Sequence, residues 1–135
     1  MRRTLHWLGI VLALLVVFAG VLYALAEWDE VVILHSRAES GELQATHLWV
    51  VDDAGALWLR SSGRERGWFV RAAARPEVEL ERAGAKRAYT ATVVDTPEAA
   101  ARVTQRMREK YGWIDALIEF VEGGWTPVAV RLDPR

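Results

Sequence analysis

The stretch Ser61-Ser62-Gly63-Arg64, flanked by Arg60 and Arg66, holds the residue types best suited to chemistry in this chain. Two hydroxyls, a glycine that lets backbone approach closely and three guanidinium groups would suit a phosphate. The effect is strongest at the start of a helix, where free N–H groups and the helix dipole favour an anion. The same residues also make an ordinary capped turn, because serine is a common N-cap. Beyond the first 26 residues lie Trp28, Trp49, Trp58, Trp68, Trp113 and Trp125. Such rings can sandwich a flat cofactor or a quinone, and they can equally fill a small core.

Other chemistries are excluded more firmly. The chain has no cysteine, so it has no thiolate nucleophile, disulfide or zinc–thiolate site. His6, His35 and His47 lack ligand spacing, and no metal site is expected from them. Neither a G-x-S-x-G elbow nor a P-loop is present. The acidic residues are spread over apparent solvent faces, so no general acid or other catalytic residue is named. Of the 17 basic residues, Arg2 and Arg3 precede the apolar N-terminal run; the 15 that remain face 18 acidic ones, a net of −3. Nucleic acid, which calls for a basic excess, is not an expected partner.

These residues have to be positioned by one small domain, residues 27–135, which is long enough for a single core. Val31 to Leu34 is apolar enough for a first strand, and Ala38 to Gln44, with Ser40-Gly41, reads as a loop. Thr46 to Val51 and Ala56 to Arg60 make a hairpin around Asp52-Asp53-Ala54-Gly55. Glu65 to Arg75 reads as a helix with Trp68, Phe69, Ala72 and Ala73 on one side, and Pro76 ends it. Val78 to Arg82 alternates apolar with charged residues and pairs with Lys86 to Val94 across Ala83-Gly84-Ala85. Thr96 caps a second helix with Pro97 at its first position and Glu98 at the positive dipole end. Ala100, Val103, Met107 and Tyr111 share its inner face, and Gly112 stops it. A short helix over Ile114 to Phe120, a break at Gly123-Gly124 and a last strand from Thr126 to Leu132 follow. The order predicts an α+β domain: a small, mostly antiparallel barrel capped by its connecting helices.

Ahead of this domain, residues 4–26 carry no charge. About 20 such residues cross a hydrocarbon core roughly 30 Å thick, so one transmembrane helix and a membrane-lipid partner are expected. Arg2 and Arg3 before the run, and Glu27, Asp29 and Glu30 after it, place the domain on the non-cytoplasmic side of the cell membrane. Trp7, Tyr23 and Trp28 would sit near the two interfaces. Ala24-Leu25-Ala26 supports the alternative, a signal peptide cleaved before Glu27, although the apolar run is longer than a usual signal core.

Three motifs, in order, resemble the deazaflavin (F420)-dependent nitroreductase and quinone reductase family of the FMN-binding split β-barrel superfamily. Ser40-Gly41-Glu42-Leu43-Gln44-Ala45-Thr46-His47-Leu48 is similar to its S-G-x-x-R-x-T-P-L stretch, with Gln44 in place of arginine and His47 in place of proline. Ser62-Gly63, then Trp68, then Arg75-Pro76-Glu77-Val78 is similar to its S-x-G-x(n)-W-x(n)-N-P-x-V stretch. Lys110-Tyr111-Gly112-Trp113 and Pro127-Val128-Ala129-Val130-Arg131-Leu132 complete the set. The resemblance implies a split barrel that binds F420, or alternatively FMN, and passes hydride to a lipophilic acceptor such as a quinone or nitro compound. By the same resemblance, Ser40, Gly41, Gln44, Thr46 and Leu48 would line the cofactor strand. Ser62, Gly63, Arg64 and Trp68 would form the loop and helix start, and Tyr111 and Trp113 the substrate mouth. The alternative is a membrane-anchored barrel that has lost its cofactor and serves as a non-catalytic binding module; the missing arginine at Gln44 and the outward topology favour it. Oligomeric state is not set by the sequence.

Overall fold

A computed structural model describes residues 1–28 and 30–135, with side chains outside 22–29. The chain divides into two units, Met1–Glu30 and Val31–Arg135.

The first unit is one helix, α1 (Arg2–Trp28). Its stretch Arg2–Val21 has a mean hydropathy of 2.3 and is long and apolar enough to cross a membrane. Leu8, Ile10, Leu12, Val16, Val17 and Phe18, spread around the helix, are all exposed, so it is apolar on every side, a surface water tolerates poorly. Tyr23, Trp28 and the Ala24-Leu25-Ala26 cleavage pattern fall on side chains outside those described.

The second unit runs β1 (Val31–Arg37), β2 (Leu43–Asp53), β3 (Ala56–Ser61), α2 (Gly67–Ala74), β4 (Glu77–Arg82), β5 (Ala85–Val94), α3 (Pro97–Tyr111), α4 (Trp113–Glu122) and β6 (Val128–Pro134). The strands close into an antiparallel barrel in the order β1-β2-β3-β6-β5-β4. Closure comes from β1 against β4, with Leu34 opposite Leu80, and it leaves no free sheet edge. Both tight hairpins turn on Ala-Gly pairs with positive φ: 51° and 78° at Ala54-Gly55, and the same angles at Ala83-Gly84. That backbone matches the twist of the flanking strands, and the glycine adopts it without strain.

Period-2 alternation sends Val32, Leu34, Val50, Leu59, Val78, Leu80, Val130 and Leu132 into the barrel. A second cluster lies outside the wall, where Val51 and Ala129 meet Val103, Met107 and Tyr111 of α3. β2 at Val50 and Val51, and β6 at Val128 to Val130, are therefore buried on both faces. Thr96 caps α3 by accepting from the Ala99 N–H at 3.2 Å, and Arg102 and Arg106 of α3 grip the buried Asp53 carboxylate at 2.6 and 3.1 Å.

Several element limits differ from expectation: β1 runs on to Arg37, β2 to Asp53, α4 to Glu122 and β6 to Pro134, and three starts differ for local reasons. β2 starts at Leu43, so Gln44 is paired strand opposite Ser36 rather than loop. α2 starts at Gly67 rather than Glu65, because Ser61 Oγ donates to the Gly63 carbonyl at 2.6 Å and holds the chain in a turn there; on this helix Ala73 is exposed. β6 starts at Val128: Pro127 has no N–H to give a ladder, and the Thr126 N–H is already donated to the Ser62 carbonyl at 3.0 Å.

Candidate cofactor cleft

The turn after β3 is the corner of a cleft of about 480 Å³. Val31, His47, Leu48 and Trp49 supply one wall from β1 and β2; Ser62, Arg66 and Trp68 supply the corner; Ile118, Glu122 and Trp125 close the far side. Trp68 is almost wholly buried and meets Phe69 edge to face at 6.1 Å, so the corner is rigid. A second hollow of about 400 Å³ lies between the two Ala-Gly turns. Of its two arginines, Arg82 and Arg87, the first is paired with Asp52 at 2.8 Å, and Tyr89 is its aromatic lining residue. The cleft beside Ser62, walled by three tryptophans, suits a flat ring better.

The far wall is fastened at the buried Asp115, which pairs with Arg60 and lies 3.8 Å from Arg108. Arg60 and Asp115 meet in a two-pronged contact, one prong Nη1 to Oδ2 at 3.2 Å, and their side chains are 4% and 0% exposed. Arg60 also lies over the Trp125 ring at 4.8 Å. Trp125 donates its indole N–H to Glu122 at 2.8 Å. Arg60 thus lines the cleft as a cation already committed to Asp115, and the half-exposed charges there are Arg66 and Glu122. The Arg66 guanidinium donates to Ser62 Oγ at 2.7 Å and lies 3.9 Å from Glu122.

Among the residues expected at a site, Leu48, Ser62 and Trp68 line this cleft. Gly63 sits in the turn with its missing side chain toward the Glu65 carboxylate. Arg64 points to the surface and pairs with Asp95; the hydrogen bond it donates to that carboxylate, then the carboxylate's charge, raises the guanidinium pKa above its ordinary value. Ser40 and Gly41 occupy the exposed turn between β1 and β2, where Gly41 has φ 88°. Gln44 is exposed at the start of β2, about 13 Å along the strand from Leu48. Thr46 accepts from Arg71 at 3.4 Å, and the same guanidinium donates to the buried Ser36 hydroxyl at 2.9 Å. Trp113 stands exposed at the first turn of α4. Among the described residues no group of three His, Asp or Glu side chains could hold a metal.

Tyr111 is buried, stacked on Trp49 with centroids 4.3 Å apart, and its hydroxyl both accepts from the Val50 N–H and donates to the Val50 carbonyl at 3.1 Å. Tyr111→Phe is expected to cost about 1–2 kcal/mol, because a buried N–H loses its acceptor. A lower urea midpoint at unchanged slope would register this loss.

Sequence reasoning missed Met107 and Ile118 as cleft lining and Asp115 as the buried anchor beside them, while Trp125 is one of the tryptophans it offers for a flat ring. Asp115 carried a weak signal: an acid near the start of a short amphipathic helix, set between Ile114 and Ala116, needs a cation if it is buried. Its partner, 55 positions away in sequence, was not visible without the fold.

The pattern of the family described as "Uncharacterized protein conserved in bacteria (DUF2255)" matches residues 21–132. The chain belongs to this family. No curated protein matches it. Among solved structures, the DUF2255 chain is similar to the heme storage protein HutZ from Vibrio cholerae, with TM-score 0.64 and 14% identity over 86% of this chain and 89% of that one. A putative pyridoxamine 5'-phosphate oxidase from Listeria innocua gives 0.56 and 15% over 87% and 92%. An F420 reductase gives 0.53 and 16% over 83% and 91%. At these identities the likeness is one of fold.

Proposed function

We propose that this DUF2255 chain is a membrane-held barrel that binds a flat, anionic, flavin-like cofactor, F420 or FMN, in the cleft beside Ser62 and Trp68. The observation that carries this reading is the combination of tryptophan walls with a hydroxyl and a guanidinium at one corner. Similarity in fold to an F420 reductase and to a putative pyridoxamine 5'-phosphate oxidase supports it. Trp49 and Trp125 would flank the ring, Ser62 and Arg66 would hold the anionic group, and Ile118 would exclude water from one side. A bound flavin or deazaflavin supplies hydride transfer; the chain's own part is position and dryness. With α1 in the bilayer, a lipophilic acceptor such as a quinone would be close at hand.

A second reading rests on His47. Its imidazole is exposed on the cleft wall and is the side chain there able to ligate haem iron; similarity in fold to a heme storage protein supports it.

Titration of the purified chain with FMN, F420 and hemin, followed by tryptophan quenching and absorbance, tests both. The flavin-type reading expects saturable binding that Arg66→Ala weakens about 10-fold or more, the worth of one charge-assisted hydrogen bond. Hemin binding lost in His47→Ala would favour the second reading. Binding of none of the three would reject both and leave an anchored interaction module.

A further inference from the structure

The outward side of α4 carries Trp113, Leu117, Phe120 and Val121, exposed by 61%, 47%, 84% and 73%. Their spacing of four, three and one places them on one stripe of the helix. The acids of α4 all turn the other way. Asp115 is buried against Arg60, Glu119 accepts from Arg108 at 2.6 Å, and Glu122 accepts from Trp125 at 2.8 Å. The helix neutralises its charges against its own domain and shows an uncharged aromatic and aliphatic face to the outside.

We propose that this face docks on the surface of the bilayer, with Trp113 and Phe120 at the headgroup boundary. The inference rests on the reading that α1 spans that bilayer. Only Asp29 and Glu30 separate the end of α1 from Val31, a tether of about 10 Å even when fully extended. Val31 lines the same cleft as Ile118 and Glu122 of α4, so the stripe, on the opposite side of that helix, lies one cleft and one helix diameter of about 10 Å from the point where the tether is attached. A bilayer that holds α1 is therefore within reach of α4. The dimensions also favour lipid over a second copy of the chain. Ten residues span about 15 Å, and a stripe roughly 10 Å wide offers about 150 Å², against about 800 Å² per partner in a stable interface. An interfacial helix needs no such area when a tether already removes the cost of association, and its aromatic rings are favoured at headgroup level. Docking would set the cleft beside the lipid surface.

The absence of cysteine allows single spin labels in the full chain reconstituted in nanodiscs. Labels are placed at Phe120→Cys, at Leu14→Cys in α1 and at Glu98→Cys on exposed α3, with Val121→Cys as a second reporter of the stripe. Positions 120 and 121 are expected to share with 14 a severalfold higher ratio of oxygen to nickel-chelate accessibility than position 98. A label at 14 in lipid with 120 and 121 as aqueous as 98 would overturn docking and leave the anchor standing. An aqueous label at 14 would overturn both. Dipolar broadening between labels at 120 on two chains would show that a second copy covers the stripe, and would overturn the lipid assignment.

Discussion

Asp115→Ala is expected to destabilise the barrel by about 3–5 kcal/mol, the cost of leaving a buried guanidinium without its counter-charge. Arg60 is 4% exposed at its side chain, so little solvent reaches the guanidinium to relieve it. For a domain of this length the loss corresponds to a fall in Tm of roughly 15 °C or more. Urea unfolding of the Val31–Arg135 unit, which contains both core clusters, measures it directly. The double change Arg60→Met with Asp115→Leu should recover most of the loss, because an apolar pair of similar volume avoids desolvating either charge. The pair should nonetheless matter to the cleft: Arg60 supports the Trp125 ring, and without it the far wall loses its fixed position. If Asp115→Ala unfolds at the wild-type midpoint, the ion pair is not what fastens α4.

Membrane association is expected to be lost when Leu14 and Val17 are both replaced by arginine. Each swap at the centre of the span costs about 3–4 kcal/mol on the insertion scale, and two together shift the partition by roughly four orders of magnitude or more. Carbonate extraction and flotation report it: the wild-type chain should float with lipid, and the double variant should stay in the soluble fraction. A wild-type chain released by carbonate, or shortened at its N-terminus to begin at Glu27, would instead identify the run as a cleaved leader. A reporter fused to the C-terminus tests the side. The arginine flank predicts the non-cytoplasmic face, and a cytoplasmic result would bring the barrel to the compartment where a reduced deazaflavin is made and recycled.

The elements that were legible in advance share a physical cause. Where burial is one-sided, the residue pattern has to follow the period of the backbone, as in Glu77–Arg82 and Pro97–Tyr111. Punctuation by Gly112, Gly123 and Pro76 acts through a single residue's own torsions, so it needs no distant partner. The strand order did not follow from either signal. That β6 returns between β3 and β5 is fixed by which apolar faces close around one interior, a property of all six strands at once. The start of α2 likewise depended on a hydroxyl–carbonyl contact at Ser61 and a tie from Thr126.

Residue types alone determined that this chain has one apolar N-terminal helix, one small barrel-like domain, no thiol chemistry and a Ser/Arg-rich turn after its third strand. Tertiary structure decided which of those residues share a cleft. It brought Arg66, Ser62, Trp49 and Trp125 together and kept Arg60 as a buried strut, while Arg64 was drawn to the surface by Asp95. Local preference is a sum over neighbours in the chain. The partner of a charge is chosen by distance and solvent exposure in space, and only the folded barrel sets those.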